Sequence, residues 1–360
     1  MSMRLGENLV VTLFGESHGA VVGALIEGMP PGIEIDPARL AEDMAARRPG
    51  GILASQRREP DDCEIIAGLF DGHTTGWPIL LVIRNRDAKP SAYDFLPEQP
   101  RPGHADLPEM VRSKGHSDPR GGGSNSARLT AGLVAAASIC RPLEERGDWS
   151  VEAHVHSIGD VVSDPIETLP LGEGEDYENT RCRDQVAAAK MVQLVKSLRK
   201  QRDSIGSVVE LRISTLPLGF GSPWFDGIEP VLAHALMAIP GARAVEFGRG
   251  FESSRMRGSE HNDPWVETTA GPRPEGGRAD GALGGIATGA DLFVKVHFKP
   301  PSSIPREQQT LNLASGQKEA LVVTGRHDPV LAPRAASVVE SVARLVLADL
   351  AMTGVDESND

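Results

Sequence analysis

The 360-residue sequence predicts one α+β body in which short strands and helices are interspersed along the whole chain. Three observations lead to this fold class. Runs rich in β-branched residues alternate with amphipathic or alanine-rich stretches. Two parts of the chain repeat the same order of motifs. No stretch of linker-like composition divides the chain. The sequence therefore predicts a single domain over residues 1–360, with a frayed tail after about residue 353.

The N-terminal elements are predicted to be a β-hairpin and a helix. Leu9–Phe14 and Ala20–Glu27 are rich in β-branched and aromatic residues, and a Pro-Pro-Gly turn closes the second run. Asp36 followed by Pro37 is typical of a helix start, and this helix is predicted to end at Arg48, before Pro-Gly.

The rest of the chain is predicted to continue the alternation of helices and strands. Further helices are predicted at Ala127–Glu145, Asp184–Gln201, Glu229–Ile239 and Ala335–Met352, and strands at Ile79–Ile83, Val208–Ile213, Leu292–Phe298 and Leu321–Val323. The acidic segment Leu171–Glu178 is predicted to be a solvated loop. His154 and His156 alternate as in a strand and His234 lies within a helix, so structural roles suffice for all three.

An internal repeat is the second observation behind the fold class. A strand beginning near Ser17, then "MPPG", a helix and "RRPG", matches a strand near Ser204, then "LPLG", a helix and "AIPG". "GLFDGHTTG" at Gly68 likewise matches "GALGGIATG" at Gly281. The matches predict two strand–turn–strand–helix units about a pseudo-two-fold axis, with chance similarity as the alternative.

Composition excludes several classes of function. A net charge of −13 argues against a nucleic-acid or membrane-surface partner. The three cysteines show no CxxC spacing, which favours a reducing cytoplasm and predicts neither disulfides nor a metal site. The apolar run Leu129–Cys140 is shorter than the roughly 20 residues of a membrane span, and is predicted to be a buried helix.

"FGESHG", residues 14–19, fits the G-x-S-x-G pattern of serine hydrolases. Such an elbow needs a helix after the serine, whereas Ala20–Glu27 is predicted to be a strand. The hydrolase reading stays as an alternative in which Ser17 is a nucleophile. Otherwise Ser17 is at most a hydrogen-bond donor to substrate, and Glu16 is expected to hold and charge the turn.

Arginines concentrate in loops beside glycine and proline: Arg47, Arg48, Arg57, Arg58, Arg101, Arg120, Arg326 and Arg334. A guanidinium group on a loop suits bidentate binding of carboxylate or phosphate, so the cluster predicts a polyanionic ligand. His18, His104 and His327 lie in similar turns and are candidate acid–base groups.

Two loops could bind phosphate or the edge of a flavin. Gly121–Gly123 expose backbone N–H groups, and Ser124–Ser126 add side-chain donors just before a helix. "FKPPSSI" at residues 298–304 offers a lysine and two hydroxyl groups after a strand.

Together, "FGESHG", "GMPPGIEI", "RRPG", "QRREPD", "RPGHAD", "RGGGSNSAR", "LGGIATG", "KPPSSI" and "GRHDP" resemble the chorismate synthase family in order and spacing. The resemblance runs from about Gly6 to Leu350, and "GSEHND" and "IPREQQT" are similar to the shorter bacterial and archaeal branch.

The resemblance implies a 1,4-elimination of phosphate from 5-enolpyruvylshikimate 3-phosphate, which gives chorismate and requires reduced FMN without net redox change. It also implies a cytoplasmic homotetramer, and a β-α-β sandwich with helices between two antiparallel sheets. Whether the chain reduces its own flavin with NADPH or depends on an outside supply is left open.

The family's site residues can be carried over to matching positions. As catalytic groups the resemblance implies His18 for protonating the departing phosphate, His104 for stabilising the reduced flavin, and Asp328 for assisting proton transfer to flavin N5. The implied substrate ligands are Ser17, Arg47, Arg48, Arg101, Arg128 and Arg334. The implied flavin ligands are Ser124, Asn125, Ser126, Pro240, Gly241, Gly284, Lys299, Pro300, Pro301, Ser302, Ser303 and Arg326.

Three departures from the family pattern concern the flavin and reductant sites. Residues 277–280 lack the family's usual asparagines, Ser124-Asn125 replace a commoner pair, and Leu53 stands where an arginine is frequent. A homologue that binds the phosphate ester or flavin without turnover is therefore a second alternative.

Overall fold

The computed structural model describes residues 3–48, 60–86, 90–276, 281–325 and 327–353. Its strands are β1 (Arg4–Leu5), β2 (Val10–Gly15), β3 (Val21–Glu27), β4 (Cys63–Ala67), β5 (Leu69–Phe70), β6 (His73–Thr74), β7 (Ile79–Arg84), β8 (Ser150–Ile158), β9 (Val161–Val162), β10 (Ser207–Ser214), β11 (Ala242–Phe247), β12 (Trp265–Thr268), β13 (Gly271–Pro274), β14 (Ala282–Leu283), β15 (Ile286–Ala287), β16 (Leu292–Phe298), β17 (Gln308–Leu311) and β18 (Lys318–Leu321). Its helices are α1 (Pro37–Arg47), α2 (Asp106–Arg112), α3 (Thr130–Ile139), α4 (Arg141–Arg146), α5 (Gly174–Thr180), α6 (Gln185–Gln201), α7 (Ile228–Met237), α8 (Gly258–His261) and α9 (Ala332–Met352).

Two five-stranded antiparallel sheets share the topology of four of their strands. The N-terminal sheet has the order β1-β2-β3-β7-β4, and the C-terminal sheet has the order β9-β8-β10-β16-β11. β2, β3, β7 and β4 thus correspond to β8, β10, β16 and β11 in the same chain order, whereas the edge strands differ, because β1 precedes β2 and β9 follows β8. This equivalence confirms the pseudo-two-fold repeat that the sequence motifs predict.

The repeat extends to individual hydrogen bonds in the two short hairpins β5–β6 and β14–β15. Thr75 donates through its backbone N–H and its hydroxyl to the carbonyl of Gly68, at 3.0 and 3.2 Å. Thr288 donates in the same two ways to the carbonyl of Gly281, both at 3.2 Å. Matching polar contacts of this kind do not arise by chance from two unrelated turns, so "GLFDGHTTG" and "GALGGIATG" are structurally equivalent.

The helices lie between the sheets, as predicted. α3 packs on β2, β3 and β7, whereas α9 packs on β8 and β10, and α3 and α9 pack on each other. Nearly all of α3 is buried. Its small side chains let it approach both the sheet and α9, and one continuous apolar core joins the two halves.

Most predicted elements lie where the pattern places them, with three corrections. Leu171–Glu178 is not all loop, because α5 occupies Gly174–Thr180 and buries Asn179 and Thr180. The helix predicted at Ala127–Glu145 is divided into a 3-10 turn, α3 and α4, since Pro142 restarts the helix. The strand predicted at Leu321–Val323 is β18, which ends at Leu321.

Within the described ranges, no helix is both long and apolar enough to cross a bilayer.

Candidate active site

The "FGESHG" turn connects β2 to β3, so a strand and not a helix follows Ser17. The Ser17 side chain is buried, its hydroxyl donates to the carbonyl of Arg120 at 3.2 Å, and it lies 3.0 Å from Nδ1 of His18. Because its proton is directed to Arg120, the hydroxyl can accept a hydrogen bond from Nδ1. This is an arrangement for orienting His18, and it lacks the context of a hydrolase elbow.

Asn85 holds the turn in place from the end of β7. Its side-chain amide donates to the carbonyls of Glu16 at 3.0 Å and Gly19 at 2.9 Å. The Glu16 carboxylate was expected to hold the turn, but this side chain is exposed and the contact runs through its backbone.

The glycine triplet passes between His18 and His104. Gly121, Gly122 and Gly123 have φ of 64°, 103° and 53°, a region that glycine adopts at low cost. A Cβ on Gly121 would lie 2.3 Å from the ring of His18, and one on Gly122 would lie 3.1 Å from the ring of His104. The backbone therefore approaches both rings, and the structure brings the two predicted acid–base groups to one loop.

The "RPGHAD" segment forms a buried charge network. Arg101 donates from Nε and one terminal nitrogen to the carboxylate of Asp106, at 2.8 and 2.7 Å. His104 Nδ1 lies 2.7 Å from the same carboxylate. Tyr93 lies against both clusters, with its ring 5.4 Å from the Arg101 guanidinium carbon and 5.1 Å from the His18 ring.

The "KPPSSI" loop, which follows β16, packs on this network. Arg101 donates to the Ser303 hydroxyl at 2.9 Å, and Ser302 donates to the carbonyl of Gly103 at 2.6 Å. Lys299 also donates to the Gly103 carbonyl. Burial, and secondarily the positive charge of Arg243, lowers the pKa of Lys299.

The "GRHDP" segment reaches the same place from the C-terminal half. Burial lowers the pKa of His327, and the charge of Arg101 lowers it further. Asp328 pairs with Arg334 at 3.1 Å. Asp328 also acts on Arg199: burial lowers the pKa of Arg199, and the negative charge of Asp328 opposes that change. Arg326 lies outside the described residues, as do Arg57 and Arg58.

Arg47 and Arg128 converge on Asp61, a buried aspartate that the sequence pattern did not single out. Arg47 donates to one carboxylate oxygen at 2.9 Å, and Arg128 donates to the other. Asn85 accepts from Nε of Arg128 at 2.8 Å. Arg47 and Arg128, which are both predicted substrate ligands, therefore bind the carboxylate of Asp61 in this structure. Arg48 lies beside them with its Nε buried.

The other predicted flavin ligands divide into two groups. Ser126 caps the helical turn that leads into α3, Asn125 donates to Glu109 at 3.2 Å, and Lys299 N–H donates to the Gly241 carbonyl at 2.9 Å. Ser124, Pro240, Pro300 and Pro301 adjoin these residues along the chain. Gly284 lies in the β14–β15 turn, next to Gly285, whose carbonyl accepts the N–H of Ile228, the first residue of α7.

A shallow open cleft lies beside the glycine triplet. Its lining includes His104, Asp106, Gly122, Asn125 and the apolar side chains of Leu96 and Met110. The sequence had indicated His104 and Asn125, but not the apolar wall, because nothing in the pattern places Leu96 near the "RPGHAD" segment.

A group with metal-ligand chemistry, among the described residues, is His154, His156 and Glu210 on β8 and β10. His154 Nε2 bonds Glu210 at 3.2 Å, while its Nδ1 accepts from the Arg183 N–H at 3.5 Å. Both ring nitrogens of His154 are therefore used in hydrogen bonds, which agrees with a structural role.

Comparisons with known proteins agree with the resemblance seen in the sequence. A family model described as chorismate synthase matches residues 9–352. A chorismate synthase of Aeropyrum pernix is 46% identical, with 96% of this chain and 92% of that protein covered. One of Thermococcus gammatolerans is 42% identical, with 96% of each covered. A crystal structure of chorismate synthase superimposes with a TM-score of 0.73 at 25% identity, covering 96% of this chain and 91% of that one.

Proposed function

Because this chain belongs to the chorismate synthase family, the lyases that act in the shikimate pathway towards aromatic compounds, we propose that it eliminates phosphate from 5-enolpyruvylshikimate 3-phosphate. In this 1,4-elimination the C–O bond to phosphate and a ring C–H bond are broken, and chorismate and inorganic phosphate are released. Reduced FMN is the proposed cofactor.

The observation that carries this proposal is the glycine triplet between His18 and His104. The backbone at Gly121 approaches the first ring and the backbone at Gly122 approaches the second, so the two rings flank one short stretch of chain. A departing phosphate needs a proton and charge stabilisation, and an anionic reduced flavin needs a positive partner. Two histidines on either side of one loop can meet these two needs without any enzyme nucleophile.

In the proposed mechanism His18 protonates the departing phosphate. The Ser17 hydroxyl accepts from Nδ1, which leaves Nε2 to carry the transferred proton. Arg47 and Arg128 would bind substrate by exchanging Asp61 for a carboxylate or phosphate of the same charge. Arg48, Arg101 and Arg334 are the remaining proposed substrate ligands.

The residues present fit a phosphate-bearing flavin. The charge of Arg243 acts on Lys299 and the charge of Arg101 acts on His327, so positive charge in partly desolvated surroundings disfavours the protonated form of both groups at the "KPPSSI" and "GRHDP" segments. Such groups are stabilised by a bound anion. The residues proposed to hold FMN are Ser124, Asn125, Ser126, Pro240, Gly241, Gly284, Lys299, Pro300, Pro301, Ser302, Ser303 and Arg326.

These residues would hold reduced FMN as a transient source of one electron and as an acceptor for the ring proton. His104 would balance the negative charge of the reduced ring, and Asp328, oriented by Arg334 at 3.1 Å, would assist the proton transfer.

The test is anaerobic incubation of the pure protein with 5-enolpyruvylshikimate 3-phosphate and dithionite-reduced FMN, with oxidised FMN as the control. The proposal predicts chorismate absorbance with reduced FMN alone. Substrate binding without chorismate under either condition would contradict it, and would favour a homologue that binds without turnover.

A further inference from the structure

His104 is held on its Nδ1 side by Asp106, the first residue of α2. Oδ1 of Asp106 lies 2.7 Å from Nδ1, and only 2% of the Asp106 side chain is exposed. A bare carboxylate oxygen and a bare ring nitrogen would repel each other at this distance, so a proton lies between the two atoms.

That proton belongs to the histidine. Burial alone would raise the pKa of Asp106, but hydrogen bonds from Arg101 and His104 hold the pKa well below its usual range. Arg101 gives this carboxylate two side-chain hydrogen bonds and its backbone N–H, the last at 3.0 Å. Asp106 is therefore ionised. The Arg101 terminal nitrogen that lies 3.1 Å from Nδ1 donates to Asp106 at 2.7 Å, and a protonated Nδ1 has no lone pair to accept a second hydrogen bond from it.

With Nδ1 occupied, Nε2 is the atom that can exchange a proton. This edge of the ring faces the glycine triplet, since a Cβ on Gly122 would lie 3.3 Å from Nε2. It also borders the open cleft. We propose that Asp106 is a positioning residue that keeps His104 in the Nδ1–H tautomer, directs Nε2 to the cleft and balances the charge of the protonated ring.

The charges around His104 make Asp106 the residue on which this balance depends. Arg101 lies on the same loop as His104, and Lys299 donates to the Gly103 carbonyl of that loop. His327 lies near enough to Arg101 for the charge of Arg101 to lower the pKa of His327. Glu109 lines the same cleft but pairs with Arg112. Replacing Asp106 by a neutral group would leave the guanidinium of Arg101 beside the His104 ring with no anion between them.

The tautomer is tested directly by ¹⁵N NMR of histidine-labelled full-length protein without flavin, with His104→Gln to assign the signal. Near pH 8 the proposal predicts a protonated Nδ1 and a bare Nε2 for His104. In Asp106→Asn the Nε2–H form should gain population. A wild-type His104 protonated at Nε2 and bare at Nδ1 would overturn the proposal.

The catalytic consequence rests on the proposed function and is measured separately. Asp106→Asn should lower kcat by roughly 10–100-fold and move the alkaline fall of the pH–rate profile to lower pH, since the cationic ring has lost its partner. The matched control is Asp43→Asn, which breaks a two-bond pair with Arg141 (both 2.7 Å) away from the site.

Asp43→Asn should leave the pH profile unchanged. An Asp106→Asn profile equal to wild type would overturn the proposal. A wild-type protein that makes no chorismate but shows the Nδ1–H tautomer would count against the proposed function, while supporting the role of Asp106 in positioning the ring.

Discussion

Ser17 is buried, and its hydroxyl has a hydrogen-bond partner on each side, the carbonyl of Arg120 and Nδ1 of His18. A nucleophilic serine would instead need its oxygen exposed to substrate, with a histidine ready to remove its proton. The contacts of this one residue therefore favour His18, and not Ser17, as the group that acts on substrate.

Ser17→Ala should keep a measurable fraction of chorismate formation, because it removes only an orienting contact. His18→Ala should lose about 2–4 kcal/mol of transition-state stabilisation, since the departing phosphate loses its proton donor. Phosphate release and chorismate absorbance under anaerobic, reducing conditions measure both variants. An inactive Ser17→Ala, together with an active His18→Ala, would contradict the assignment, as would labelling of Ser17 by a fluorophosphonate.

Gly121→Ala should reduce kcat/KM strongly, because the added methyl group would lie 2.3 Å from the His18 ring and must displace it. The control is Gly32→Ala. Gly32 also has a positive φ, 76°, but no atom lies within 4 Å of its Cβ position. The two variants share the backbone strain, so a fall in activity of equal size in both would show that contact with His18 is not the cause.

The candidate residues were predicted better than their contacts. The sequence singled out His18, His104, Arg101 and the glycine triplet, because loops rich in glycine and arginine are recognisable in one dimension. The "QRREPD" motif ends at Asp61, but the pattern gave this aspartate no role, because Asp61 meets Arg47 and Arg128 only after folding. Contacts between residues far apart in sequence carry no local signal.

At the scale of elements, helix starts were the most predictable feature. Asp36 caps α1 with Pro37 at its first position, as the sequence indicates, and the helix predicted to begin at Asp184 has that residue as its N-cap. α5 was missed because its acidic sequence has little apolar periodicity. Its C-terminal residues Asn179 and Thr180 are nevertheless buried by tertiary contacts.

Asp184→Ala should lower the free energy of unfolding by about 1 kcal/mol at pH 7, since the backbone N–H groups of Val186 and Ala187 lose their acceptor. Folding lowers the pKa of Asp184, chiefly through the Ala187 N–H. This contribution is therefore present above the ordinary aspartate pKa of 3.8 and is lost as the pH falls through the lower pKa of the folded state.

Urea unfolding at pH 7 and near pH 3 measures this difference. Asp184→Asn is the matched control, because it keeps an acceptor but cannot ionise. The free energy of unfolding of Asp184→Asn should be close to that of wild type at pH 7. This variant should lack the part of the wild-type stability that is lost on acidification. If the difference in free energy of unfolding between wild type and Asp184→Ala does not shrink on acidification, the role of the ionised cap is contradicted.

At the scale of the whole molecule, the two equivalent sheets form one body because helices from each half pack together and the chain ends meet. Near the end of α9, Asp349 accepts the backbone N–H groups of Asn8 at 2.7 Å and Leu9 at 2.8 Å. Glu7 donates to the same carboxylate. The repeated sequence motifs predicted the internal repeat. They did not predict the contact of Asp349 with residues 7–9, which depends on where α9 ends in the folded protein.

Asp349→Ala should lower the free energy of unfolding by about 2–4 kcal/mol, because several backbone N–H groups lose their acceptor and the Leu9 N–H is buried. Asp349→Asn keeps one carbonyl oxygen and should cost less. Urea unfolding, with the m-value checked for constancy, compares the two variants. Equal stability of Asp349→Ala and wild type would show that the closure contributes nothing.

The central claim is that this chain catalyses an elimination that leaves its flavin chemically unchanged. It is tested most directly by an anaerobic time course with a large excess of 5-enolpyruvylshikimate 3-phosphate over reduced FMN and protein, in which chorismate, phosphate and the flavin spectrum are followed together. The account predicts equal amounts of chorismate and phosphate, many turnovers per flavin, and a flavin that is still reduced when substrate is exhausted. Phosphate release without chorismate, or product that stops at one equivalent per flavin as the flavin becomes oxidised, would contradict it.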